Sequence, residues 1–126
     1  MKSESSASGP ALVHRRGTLR GQLVALNGKR LSLGRDHGND VVTESPVVST
    51  RHALIYLDEG ERGGWWLRDL DSKNGTYLNG KQVLEHRLED GDVIRLCRNG
   101  PEFVFAATGS IDYMNDSTVS FNSADF

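Results

Sequence analysis

Cysteine is almost absent from this chain: Cys97 is the single one in 126 residues, which excludes an intrachain disulfide and any paired-cysteine zinc or redox motif. One thiol suits a reducing compartment. Long apolar runs are missing too. Nothing approaches the roughly 18 residues of a membrane span, and the opening MKSESSASGP has no apolar middle such as a secretory signal needs. A cytoplasmic protein is expected. Nor is there a surplus of positive charge, since 15 Lys and Arg stand against 17 Asp and Glu for a net charge of −2. A general nucleic-acid binder more often shows a basic excess over the whole domain.

What is present suffices for one folded domain. The length leaves no room for a second of comparable size, and 37% hydrophobic with 25% charged residues excludes wholesale disorder. Both ends read as tails or linkers. Residues 1–10 hold four Ser with Gly9 and Pro10, and residues 109–126 hold four Ser and three Asp without Lys or Arg. The folded part is expected over residues 11–108. Charge is uneven along the chain: residues 1–56 carry +4 and residues 57–126 carry −6. Eleven of the 15 basic residues are Arg, whose planar fork suits carboxylate or phosphate.

Short runs rich in β-branched, Leu and aromatic residues alternate with turn signals, the pattern of an all-β sandwich or barrel. Asn27-Gly28 predicts a type I′ hairpin between residues 21–26 and 29–33, and Asn79-Gly80 predicts another after residues 76–78. Residues 51–57 (RHALIYL) and 65–70 (WWLRDL) read as a strand pair, as do residues 92–96 and 103–106. Trp65 and Trp66 are adjacent in a strand and so face opposite ways. Only residues 81–90 are expected to hold a helical turn, with Val83, Leu84 and Leu88 on one side and Gly91 as its stop.

The chemistry-bearing residues fall in three connections, residues 34–39, 46–52 and 71–75, which a sandwich gathers at one end. Arg35 after Gly34 could hold a phosphate or pair with Asp36 or Asp40 on the surface. Ser49, Thr50 and Arg51 place two hydroxyls and a cation side by side, as a phosphate grip requires or as an ordinary Ser/Thr turn provides. His52 has no second His at metal-ligand spacing and reads as a core histidine. In residues 71–76 (DSKNGT), Gly75 needs a tight turn, while Asn74 can present an amide to a peptide backbone and Lys73 a cation.

In order and spacing these pieces resemble the forkhead-associated (FHA) domain family. The series is Leu33-Gly34-Arg35, Asn39-Asp40-Val41, Val48-Ser49-Thr50-Arg51-His52-Ala53, residues 67–80 (LRDLDSKNGTYLNG) and residues 88–94 (LEDGDVI), over roughly residues 22–106. The resemblance implies a sandwich of two antiparallel sheets whose loops at one end bind phosphothreonine in an extended peptide. Arg35 then resembles the phosphate-gripping arginine and Ser49 the phosphate-bonding hydroxyl. Thr50, Arg51 and Lys73 take auxiliary positions, and Asn74 that of the side chain holding the peptide backbone. Gly34, His52, Gly75 and Asn79 match positions that shape loops. Cys97 stands where the family commonly has Gly, and Val47 suggests an apolar or neutral preference three places after the phosphothreonine. Neither a cofactor nor a metal is implied.

Three rivals compete with a phosphothreonine module serving Ser/Thr-kinase signalling. A hydrolase would use Ser49, His52 and Asp69 as nucleophile, base and orienting acid, but no Gly-x-Ser-x-Gly elbow is present. A single-strand nucleic-acid binder would stack bases on Tyr56, Trp65 and Trp66. An FHA-like domain could also bind protein without phosphate. Neither a nucleic-acid nor a membrane partner is expected. In the C-terminal tail Asp116 precedes Ser117 and Thr118, so phosphorylated Thr118 is a candidate ligand for another copy, giving head-to-tail association.

Overall fold

Alternation of side chains along short strands decides which faces meet. In Arg30–Gly34 (β3) Leu31 and Leu33 are buried while Arg30 stays exposed, and in Ala53–Leu57 (β5) Ala53 and Ile55 are buried. The computed structural model describes residues 9–107, and eleven strands run through them. The others are β1 (Ala11–His14), β2 (Leu23–Ala25), β4 (Val41–Val42), β6 (Trp65–Asp69), β7 (Thr76–Leu78), β8 (Lys81–Val83), β9 (Glu85–Arg87), β10 (Val93–Leu96) and β11 (Glu102–Ala106). A six-stranded sheet has the order β2-β1-β11-β10-β7-β8, and a five-stranded sheet the order β4-β3-β5-β6-β9. Leu12, Ile94, Leu96, Phe103 and Phe105 from the first meet Leu33, Ile55 and Leu67 from the second in one core. Each such side chain contributes about 1.5–3 kcal/mol by leaving water. Among the described residues no helix is long and apolar enough to cross a membrane.

Pairing is antiparallel throughout except between β3 and β4, which run parallel with Leu33 opposite Val41 and Gly34 opposite Val42. Reciprocal bonds align them: the Ser32 N–H donates to the Asp40 carboxylate at 2.8 Å, and the Asp40 N–H donates to Ser32 Oγ at 3.0 Å.

Two expectations are corrected. Asn27-Gly28 makes no hairpin, because β2 pairs with β1 in one sheet and β3 with β5 in the other. Neither residue has a positive φ, and buried Leu26 anchors the crossing. Residues 81–90 hold no helical turn. They form β8 and β9 on different sheets, with Leu84 exposed between them and only Leu88 buried, so the apolar positions belong to separate strands. Strand β1 and a 3-10 turn over Gly17–Leu19 were not legible in the sequence. The Asn79-Gly80 hairpin does form, with φ of 51° and 88°. Trp66 lies on the outer face under the Arg62 guanidinium, 3.9 Å from the ring centroid, while Trp65 packs on the core, so no shared stacking platform exists. Residues 1–8 and 108–126, with most of the expected N-terminal tail, the whole expected C-terminal tail and Thr118, lie outside the described residues.

The two Asn-Gly pairs separate by mutation. Gly80→Ala should destabilise by about 1–2 kcal/mol through its positive φ alone. Gly28→Ala should be neutral or stabilise by up to about 1 kcal/mol, as urea denaturation will measure.

Candidate functional site

Strand direction brings the loops together. Strands β3 and β4 end, and β5 begins, at the end of the sandwich where β6 gives way to β7, so links 35–40, 43–52 and 70–75 emerge side by side. Gly34 makes their close approach possible. A Cβ there would lie 2.3 Å from the Thr50 carbonyl oxygen and 2.6 Å from Asn39 Nδ2, closer than atoms can stand. In the space left free, the Arg35 N–H donates to the Ser49 carbonyl (2.9 Å) and the Asp36 N–H to that of Thr50 (3.2 Å). Buried Asn39 donates from Nδ2 to the carbonyls of Thr50 (2.6 Å) and Asp36 (2.9 Å).

Arg35 is held along one edge only. Its Nε donates to the Val48 carbonyl at 2.9 Å, and its terminal nitrogens have no ion-pair partner among the described residues. The surface-pair alternative fails because both acids are engaged elsewhere: Asp36 accepts the Gly38 N–H and Asp40 binds Ser32. Arg51 and Lys73 are exposed and unpaired by any described carboxylate. Three cations therefore share these loops without an ion pair among the described residues.

His52, fully enclosed, joins two of the loops. Its Nδ1 accepts the Ser49 N–H at 3.0 Å, so Nε2 carries the hydrogen and donates to the Gly75 carbonyl at 2.8 Å. The Ser49 Oγ accepts the Lys73 N–H at 2.9 Å, which leaves its own hydrogen free to donate outward. Asn74 donates from Nδ2 to the Val47 carbonyl at 2.7 Å, leaving Oδ1 and a second N–H available. Gly75 is buried with φ of 89°. Thr50 is exposed. Asn79 lies at the opposite end of β7, its amide bridging Asp92 and the Val93 N–H.

The loop carrying Lys73 and Asn74 is shaped by Asp69, a residue the sequence offered only as a catalytic acid. Its carboxylate accepts the Ser72 N–H (3.1 Å), the Ser72 hydroxyl (2.5 Å) and the Thr76 hydroxyl (2.6 Å), and Ser72 Oγ accepts the Gly75 N–H. Burial opposes its charge, but the hydrogen bonds from Ser72 and Thr76 outweigh burial and hold its pKa below the usual 3.8. The spacing Asp69, Ser72, Thr76 is the one signal that could have revealed this knot, as an Asx-type turn closing a strand. Asn39 carried no comparable local signal.

This geometry leaves the hydrolytic triad unassembled. His52 bonds the backbone of Ser49 and not its hydroxyl, and Asp69 contacts Ser72 and Thr76 where a triad needs it on the imidazole. The loops can grip an anion through fixed N–H and O–H donors.

A rigid sandwich with a donor-rich loop cluster at one end defines a recognition module. Residues 31–97 match the FHA domain family model, and the chain belongs to the forkhead-associated domain family. FHA domains are non-enzymatic interaction modules. The glycogen accumulation regulator GarA of Mycolicibacterium smegmatis is 35% identical over 94 residues, 74% of this chain and 58% of GarA. The transcriptional regulatory protein EmbR of Mycobacterium tuberculosis is 36% identical over 86 residues, 68% of this chain and 21% of EmbR, so the chain spans about a fifth of that relative. The solved structure of EmbR with a low-affinity phosphopeptide superposes with a TM-score of 0.69 at 30% identity, covering 87% of this chain and 27% of that one. An FHA domain solved in a study of phosphothreonine-dependent interactions gives 0.67 at 31% identity, covering 79% of this chain and 96% of that one.

Asp69→Asn should lower unfolding free energy at neutral pH by about 1–2 kcal/mol, the partly exposed carboxylate being screened by solvent. Because the folded pKa is depressed, this contribution is present above the unfolded value of 3.8 and lost as pH falls through the folded one. Wild type and variant should therefore converge in acid, as denaturant titrations across that range will record.

Proposed function

We propose that this domain recognises phosphothreonine in an extended peptide, as a phosphorylation-dependent interaction module in kinase signalling. The observation that carries the reading is Arg35, anchored by Nε on Val48 with its terminal N–H groups free. Ser49 stands in the adjoining loop with a hydroxyl hydrogen to donate. These two grip the phosphate. Thr50, Arg51 and Lys73 add hydrogen bonds and positive potential at its rim, and Asn74 holds the peptide backbone beside it. The phosphopeptide bound by EmbR and the phosphothreonine dependence of the second solved relative support the same ligand class.

The partner is then a protein phosphorylated by a Ser/Thr kinase, met in the cytoplasm, and the domain binds it without turnover. Head-to-tail association through phosphorylated Thr118 is one form such a partner could take. Charge-assisted bonds to a dianion, set against the ordering of a short peptide, place affinity at about 1–100 μM.

Arg35→Ala should weaken a phosphothreonine peptide by about 30- to 150-fold in calorimetry, since it removes a charged pair of about 2–3 kcal/mol. Equal binding by variant and wild type would reject the assignment. Wild-type affinity should also fall as salt is raised.

Phosphoserine in the same peptide should bind clearly more weakly, because the threonine methyl restricts χ1 before binding. Competition between the two peptides measures the difference, and parity would remove threonine selectivity from the proposal.

A further inference from the structure

Beside the phosphate loops, the outer face of the six-stranded sheet carries a polar row whose charges do not balance. Tyr77 on β7 lies opposite Arg95 on β10, Arg95 lies opposite Glu102 on β11, and the Glu102 carbonyl accepts the Arg15 N–H. At the near end the row abuts the Gly75 turn: a Cβ on Gly75 would stand 2.8 Å from Gln82 Nε2 and 3.3 Å from Tyr77 Cε1. The Cys97 N–H also donates to the Gly75 carbonyl at 2.9 Å, so the β10–β11 turn is tied to the same loop.

Three guanidinium groups converge on the single carboxylate of Glu102. Arg15 reaches Oε1 at 3.4 Å, Arg16 reaches Oε2 at 3.4 Å and Arg95 reaches Oε2 at 3.3 Å. These distances exceed those of strong charge-assisted bonds, and one carboxylate neutralises one cation. The cluster keeps an excess of two positive charges in a chain whose net charge is −2. No second described carboxylate pairs with these arginines. Arg15 and Arg16 are 53% exposed, which leaves most of their donors open, and Arg95 Nε is buried without a hydrogen-bond partner. A purely structural ion pair requires one arginine here.

We infer that this row is a second anion subsite, which binds an acidic group on the same phosphopeptide that the loops engage. The inference rests on the phosphothreonine reading above. From β7 to β1 the row crosses three strand spacings, about 14 Å, so the second anion belongs about four to eight extended residues from the phosphothreonine. Its chemistry is anionic and planar or tetrahedral, a carboxylate side chain or a second phosphate, which the guanidinium fork receives in either form.

Fluorescence anisotropy on the intact chain tests it with phosphothreonine peptides of one core sequence. One has neutral flanks, one has a Glu block four to eight residues before the phosphothreonine, one has it the same distance after, and one carries a second phosphate in place of each block. Wild type should bind one flank arrangement about 5- to 20-fold tighter than the neutral peptide, and the gain should shrink with salt. The Arg15→Gln/Arg16→Gln variant should keep the neutral peptide's affinity within about twofold and lose the gain. A gain with Glu assigns the row to anions generally, and a gain with phosphate alone assigns it to phosphate. No gain on either side, or one that survives the double variant, overturns the inference while leaving the phosphate loops intact. Undiminished binding by Arg35→Ala would instead overturn the reading beneath it.

Discussion

The buried imidazole of His52 holds two loops that have no regular structure of their own at a fixed separation. Its two nitrogens satisfy the Ser49 N–H on one side and the Gly75 carbonyl on the other. Replacing the ring by an apolar side chain would orphan the Ser49 N–H, at about 1–3 kcal/mol, and leave the Gly75 carbonyl with the Cys97 N–H as its one remaining donor. Ser49 is thereby positioned from below, and Lys73 is fastened to it from the side through its own N–H. The neighbouring junction works the same way, with Asn39 and the Arg35 and Asp36 amides gathered on the carbonyls of Ser49 and Thr50. Ordering these loops before any ligand arrives removes part of the entropy that binding would otherwise have to overcome.

The same hydrogen bonds decide the electrostatics. Each acid in or beside the loops for which a bond is described acts as a local acceptor, Asp36 for Gly38, Asp40 for Ser32, Glu44 for His37, and Asp69 for Ser72 and Thr76. The cations Arg35, Arg51 and Lys73 form no ion pair among the described residues. On the outer face of the five-stranded sheet the balance is different. Arg62 bonds Asp58 and the Tyr56 hydroxyl, pairs with Glu85 and covers Trp66, so its charge is internally matched. Bonds from Arg62 and the Gly60 N–H hold the Asp58 carboxyl below its usual pKa. At the loop end of the sandwich, by contrast, the three cationic side chains stand outside any described ion pair.

Sequence patterns proved reliable where the decisive forces are local. Asn79-Gly80 forms its turn because two residues at positive φ need only themselves and a two-residue register. Trp65 and Trp66 separate onto two faces because adjacent strand positions always do. Asn27-Gly28 has the same letters and a different outcome. Its flanking strands find better partners in opposite sheets, and the dipeptide carries the chain across the sandwich. Residues 81–90 mislead for a related reason: two three-residue strands on separate sheets can place apolar residues at spacings that mimic one side of a helix. The parallel β3–β4 pair had no legible signal, since it depends on the Asp40 side chain bonding a backbone eight residues earlier.

From its residues alone the chain determined an all-β class and which links meet at one end of the sandwich, because strand periodicity, turn chemistry and ordered motifs are properties of short segments. Tertiary structure decided which donors are free. Whether Arg35 would pair with Asp36 or stand open depended on where two carboxylates and the Val48 carbonyl came to rest. Whether Asp69 would serve an imidazole or a loop depended on which hydroxyls the next strand delivered to it. The convergence of Arg15, Arg16 and Arg95 on Glu102 joins residues up to 87 positions apart. Such contacts are set by sheet order and register, which no short stretch of sequence contains.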